Sequence, residues 1–146
     1  MIRSLINHME SETMHELKRG QREIMQSRLE VFDNLYPHRD YVITIVNPEF
    51  TCLCPRTGYP DFAVIEIKYI PNRYCLELKS WKLFINKYRD RGIFHEEVTN
   101  ELLEALVQAL KPRYLHIRGD FNPRGNVHTV VTAEYRSRGL KKQIAG

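Results

Sequence analysis

Hydrophobic and polar positions alternate with two different periods along the chain, and the change of period divides it into elements. Residues 41–46 form a β-branched run suited to a strand. Ala63, Ile65, Ile67 and Tyr69 alternate with Val64, Glu66 and Lys68, which predicts a half-buried strand over 61–70, ended by Pro71-Asn72. From 77 to about 89 the spacing turns helical: Trp81, Phe84, Ile85 and Tyr88 share one face, while Lys79, Lys82, Asn86 and Arg89 fall along another. Arg91-Gly92 breaks this run. Val98, Leu102, Leu106 and Leu110, four apart, predict a second helix over 94–110, closed by Lys111-Pro112. Two further strands follow, 114–121 with Leu115, Ile117 and Phe121 inward, and 126–135, joined through Asn122-Pro123-Arg124-Gly125. Pro48, Pro55, Gly58 and Pro60 predict a long loop over 47–60 between the first two strands. Ahead of them, Met14, Leu17, Ile24 and Val31 recur at helical spacing around Gly20, a weak helix or loose arm.

Strand, strand, helix, helix, strand, strand is the pattern of an α+β fold. An antiparallel four-stranded sheet carries two helices on one face in ββααββ order. A chain of 146 residues can bury one good core. Lys and Arg number 22 against 18 Asp and Glu, a net charge of +4 that favours anionic partners only mildly. Arg136, Arg138, Lys141 and Lys142 in the tail supply much of the surplus. Three cysteines, an odd number, argue against a disulfide framework and for a reducing compartment, with the cytoplasm as default. No apolar run approaches the roughly 20 residues that span a bilayer, so no membrane partner is expected.

Several residues carry potential chemistry. The loop 50–62 holds Cys52 and Cys54 between Pro and Gly, with Asp61 seven residues beyond Cys54. A free cysteine is often only a small buried hydrophobe, whereas an activated one is a nucleophile. Phe94-His95-Glu96-Glu97 opens the second helix, where acidic residues complement the helix dipole. Lys79 and Lys82, one turn apart, suit phosphate groups, and Arg124 is a further cation for the same purpose. No Gly-x-Gly-x-x-Gly follows a strand, which argues against a Rossmann site. Two rival readings are a zinc site built from Cys52, Cys54, Cys75 and His95, and a nucleic-acid module. The Cys-x-Cys spacing falls outside the usual zinc-ligand pattern, and no DNA or RNA motif is present.

The octet Glu77-Leu78-Lys79-Ser80-Trp81-Lys82-Leu83-Phe84 resembles the signature of the NADPH-dependent 7-cyano-7-deazaguanine reductases, the QueF family. That signature reads Glu, Ser or Leu, Lys, Ser or Ala, an apolar residue, Lys, Leu or Tyr, then an aromatic. The segment Leu53-Cys54-Pro55-Arg56-Thr57-Gly58 is similar to the family's nucleophile loop. The resemblance runs over about residues 29–135, leaving an arm at 1–28 and a basic tail at 136–146. It implies Cys54 as the nucleophile that forms a covalent thioimide with the nitrile, and Asp61 as proton donor. It implies substrate contacts from Leu76, Glu77, Leu78, His95 and Glu96, cofactor contacts from Lys79, Lys82 and Arg124, and no metal. Two NADPH would then reduce the nitrile to 7-aminomethyl-7-deazaguanine in queuosine biosynthesis, a tRNA modification, without the enzyme itself binding nucleic acid. The implied tunnelling fold closes into a barrel as a homo-oligomer, pentamers stacked into decamers. A related archaeal branch amidates the nitrile within tRNA and lacks the lysine-bearing signature.

Overall fold

Four long antiparallel strands and the helices laid on one of their faces place every candidate residue. A computed structural model describes residues 2–4, 6–7, 14 and 16–138. The elements run α1 (Arg19–Gln26), β1 (Val31–Asp33), β2 (Ile43–Leu53), β3 (Pro60–Ile70), β4 (Tyr74–Leu76), α2 (Leu78–Ile85), a 3-10 turn (Asn86–Tyr88), α3 (His95–Leu110), β5 (Tyr114–Arg124) and β6 (Val127–Arg136). The main sheet has the order β2-β3-β5-β6, all antiparallel, so the expected ββααββ core is present. No helix among the described residues is long and apolar enough to cross a membrane.

The inward positions are those the alternation predicts. Ala63, Ile65, Ile67 and Tyr69 of β3 and Leu115, Ile117 and Phe121 of β5 are buried in one cluster with Val98, Leu102, Leu106 and Leu110 of α3. Trp81, Ile85 and Tyr88 join the same cluster, and the Trp81 indole N–H donates to the Asn47 side chain at 2.6 Å. Glu77 caps α2, its carboxylate accepting from the backbone N–H groups of Lys79 and Ser80 at 2.8 and 2.7 Å. Lys111 takes a left-handed conformation (φ 46°) and Pro112 follows, which stops α3 where the sequence predicts.

The predicted loop over 47–60 is mostly strand. Strand β2 continues to Leu53, and Pro48 is absorbed where the β2–β3 register shifts between Asn47 and Phe50. A bulge tolerates the missing N–H, so this proline bends the strand without ending it. The true connection is residues 54–59. Pro123 sits in a similar register shift between Phe121 and Arg124 of β5. The two-residue turn after it has positive φ at Gly125 (53°) and Asn126 (67°), the geometry that closes a tight hairpin. A second sheet of β1 and β4, three residues each, was too short to show a period. Of the N-terminal arm, α1 is formed, with Gly20 inside it, while residues 8–13 lie outside the described residues, as do Lys141 and Lys142.

Gly119 occupies an inward position of β5. A Cβ there would lie 2.8 Å from the Thr99 hydroxyl and 2.9 Å from the Phe121 ring. Its absence lets α3 approach the sheet closely and lets the Phe121 ring lie beneath the start of that helix. The opposite face of the sheet leaves Val46, Phe62, Val64 and Val130 exposed.

Candidate active site

Loop 54–59 is closed on itself. The Cys54 N–H donates to the Tyr59 carbonyl at 2.8 Å and the Gly58 N–H to the Cys54 carbonyl at 2.9 Å, with Gly58 at φ 73°, a conformation glycine adopts without strain. The segment ahead of α3 pins its base. Leu53 N–H donates to the Arg91 carbonyl and Ile93 N–H to the Leu53 carbonyl, each at 3.0 Å. Gly92 lies against Pro55, which a Cβ would approach to 3.3 Å.

This loop treats its two sulfurs oppositely. Cys54 is partly exposed, and its thiol is drawn down to about 6 by the Thr57 hydroxyl first, then by the backbone N–H groups of Thr57 and Arg56 and by the Arg124 guanidinium. Donors that stabilise the anion make the thiolate the ordinary form near neutrality. Cys52 is fully buried on the core side, where burial pushes its thiol up to about 11. Of the two, Cys54 has the environment that suits a nucleophile. Cys75 lies in β4, 3.7 Å from the Tyr41 hydroxyl, at the far end of the sheet. The four residues of the zinc reading thus do not converge, and no group of three metal-ligating side chains occurs among the described residues.

Asp61, the second residue of β3, pairs opposite Cys52 and is 5% exposed. One carboxylate oxygen is 2.6 Å from Arg124 Nε, the other 3.1 Å from His95 Nε2. His95 is the first residue of α3, and its ring stacks on Phe121 with centroids 3.9 Å apart and planes 9° from parallel. Glu96, next on the helix, is exposed beside this group. Thus Cys54, Asp61, His95 and Arg124 come together at one end of the sheet: a thiolate, a carboxyl, an imidazole and a guanidinium. Such a set can add a nucleophile to an electrophilic carbon and supply a proton to the neighbouring atom.

The remaining predicted residues are elsewhere in the chain. Leu76 N–H donates to the Tyr69 hydroxyl at 3.0 Å. Tyr69 stands eight positions along β3 from Asp61, roughly 26 Å at strand rise. Leu76, Glu77 and Leu78 are therefore not brought to Cys54 within one chain. The Glu77 carboxylate is occupied by its capping bonds, which hold it below the usual carboxylate range. Lys79 and Lys82 stand on α2 without an ion-pair partner among the described residues, and Lys79 borders a cavity of about 270 Å³ with Arg28 and Ser80. Two unpaired cations one turn apart fit a polyphosphate. Arg124 is not with them; it belongs to the Cys54 and Asp61 group. Sequence reasoning missed Thr57, three residues after the nucleophile inside the quoted motif, and the Phe121 stack, which depends on a contact between β5 and α3.

A family model described as QueF-like protein matches residues 60–139. The NADPH-dependent 7-cyano-7-deazaguanine reductase of Aquifex aeolicus is 60% identical over 116 residues, which are 80% of this chain and 90% of that protein. The enzyme of the same name from Thermosynechococcus vestitus is 54% identical over 120 residues, 82% of this chain and 91% of that one. Among solved structures, the archaeosine synthase QueF-Like in its apo form is 27% identical with a TM-score of 0.61, covering 68% of this chain and 96% of that one. The chain belongs to the QueF family, alongside these NADPH-dependent 7-cyano-7-deazaguanine reductases.

Proposed function

We infer that the chain reduces 7-cyano-7-deazaguanine to 7-aminomethyl-7-deazaguanine at the expense of two NADPH, a step of queuosine biosynthesis. Identity of 60% to the reductase of Aquifex aeolicus supports the activity. The single observation that carries the mechanism is a partly exposed Cys54, its thiol drawn low, at the end of the sheet where Asp61 pairs with His95 and Arg124. The Cys54 sulfur attacks the nitrile carbon, one carbon–nitrogen π bond opens onto nitrogen, and a proton held by Asp61 with His95 passes to that nitrogen, giving a thioimide. NADPH, when bound, supplies the hydrides that take the carbon to the amine level. Lys79 and Lys82 hold its phosphates, the second lysine helping to favour the extra phosphate of NADPH over NADH.

On the substrate side, the Glu96 carboxylate accepts from adjacent N–H donors of the aminopyrimidinone edge, and His95 orients the ring. The backbone of Leu76, Glu77 and Leu78 forms the opposite wall. Its distance from Cys54 within one chain supports a site completed by a neighbouring copy. Edge strands β2 and β6 and the exposed Val46, Phe62, Val64 and Val130 support a sheet that continues into a closed homo-oligomeric barrel, a pentamer or a decamer. The test is to mix protein, NADPH and the nitrile and follow loss of the reduced nicotinamide absorbance. Two cofactors oxidised per amine formed are expected; oxidation without amine, or none, refutes the reading.

A further inference from the structure

The His95 ring is held from two directions. Its Nε2 lies 3.1 Å from Asp61 Oδ2, and its flat face lies on the Phe121 ring, centroids 3.9 Å apart and planes 9° from parallel. A histidine side chain turns about two bonds, the second of which has no sharp preference of its own, so its ring plane must be set by what touches it. The Phe121 face sets the plane; the carboxylate sets which edge points inward. Phe121 is fully buried in the core cluster with Leu115 and Ile117 of its own strand, so the face it offers is fixed by packing. Gly119, two positions earlier on the same side of β5, has no Cβ where one would come within 2.9 Å of the Phe121 ring and 2.8 Å of the Thr99 hydroxyl. That hydroxyl donates to the His95 carbonyl at 2.8 Å. Backbone and ring of His95 are thus both held from the side that Gly119 leaves open.

We propose that Phe121 is a positioning residue for the proton step, its ring holding the His95 imidazole in the plane from which Nε2 meets Asp61. This deepens the reductase reading above and rests on it. In that reading the sulfur–carbon bond forms, the carbon–nitrogen π pair moves to nitrogen, and nitrogen takes the proton that Asp61 and His95 hold between them. Asp61 is 5% exposed, so it exchanges protons through its neighbours. Arg124 Nε pairs with its other oxygen at 2.6 Å, but a guanidinium keeps its protons. An imidazole both accepts and donates, and the His95 side chain is 19% exposed, which gives it a solvent side and an Asp61 side. A ring free to swing would lose the 3.1 Å contact, and a displacement of about 1 Å at a reacting group costs up to about a hundredfold in rate.

Other neighbours do not fill this role. Thr99 bonds the His95 backbone and leaves its ring free to turn, Glu96 follows on the helix and is exposed, and among the described residues no second aromatic ring stacks on His95.

Phe121→Leu and Phe121→Met refill the space with apolar atoms but offer no flat face, and either carries the test if the other does not fold. They are compared with the unaltered chain and with Ile117→Val, a trimming of the same buried face four positions away, roughly 13 Å at strand rise. Histidines are acylated with diethyl pyrocarbonate and mapped by mass, Cys52 and Cys54 are alkylated with iodoacetamide, and thioimide formation is followed by absorbance with the nitrile alone. In both Phe121 variants His95 acylates severalfold faster, while the exposed His38 keeps its rate. Thioimide formation slows about tenfold or more. Alkylation of Cys54 is unchanged, and Cys52, fully buried, stays protected, which shows that the core is closed. Ile117→Val alters none of these. Unchanged His95 acylation and thioimide rate in the folded variants would overturn the proposal. So would faster alkylation of Cys52 alongside His95, because Phe121 would then only seal the core. If the unaltered chain forms no thioimide, the reductase reading fails, and the part assigned to Phe121 falls with it for that separate reason.

Discussion

Replacing Thr57 by Val tests the electrostatics of the nucleophile most simply, because the Thr57 hydroxyl is the largest cause of the low Cys54 thiol. The direction follows from the sign of the shift. Hydrogen bonds to the anion lower the thiol to about 6 from an ordinary 9.0, so removing one raises it. If loss of the hydroxyl undoes half of that shift, the thiolate fraction at pH 6 falls from about one half to about one thirtieth, roughly fifteenfold. A more basic thiolate is also a better nucleophile, by roughly fivefold over that interval. Alkylation of the variant by iodoacetamide is therefore about threefold slower at pH 6 and about fivefold faster above pH 9, where both sulfurs are ionised. The two pH profiles cross near neutrality. Profiles that superimpose would refute the role assigned to Thr57, and a midpoint near 9.0 in the unaltered chain would refute the activated sulfur altogether.

Cys54→Ala is expected to abolish both turnover and the absorbing thioimide, whereas Cys52→Ala, at a buried sulfur ionising only near 11, leaves most of both; equal loss in steady-state assays of the two would remove Cys54 from its role. Lys79→Ala with Lys82→Ala raises the KM for NADPH far more than it alters nitrile binding, and an unchanged KM would leave the lysine helix without a cofactor function. Leu102→Ala, at a fully buried position of α3, costs about 2–5 kcal/mol of stability in urea unfolding; a change below about 1 kcal/mol would mean that the helix does not seal the core.

The parts of this molecule legible in its sequence are those where one period runs long enough to be read. Ala63 to Tyr69 and Val98 to Leu110 were assigned to their buried faces because each repeats an inward residue at least four times. Strand β2 was cut short at Val46 because Pro48 reads as a stop. Only the pairing with β3 shows that a bulge accepts it. At the site, Cys54 and Asp61 are read from a motif, and the structure adds what surrounds them: Thr57, three residues on from the sulfur, and Arg124 from a distant strand. The pairing of Arg124 with Asp61 is not legible in the sequence, because a cation in a turn carries no mark of its partner. Its partner is 63 positions earlier in the chain, brought near by the β3–β5 pairing. The remoteness of Leu76 to Leu78 from Cys54 was invisible for the same reason, since the distance is set by strand direction and not by sequence separation.

The most direct measurement is the intact mass of the protein after incubation with the nitrile and no NADPH, followed by peptide mapping. Covalent addition without a leaving group predicts a mass increase equal to the whole nitrile, one per chain, on the peptide that contains Cys54. No increase, or an increase mapped to Cys52 or Cys75, would contradict the account.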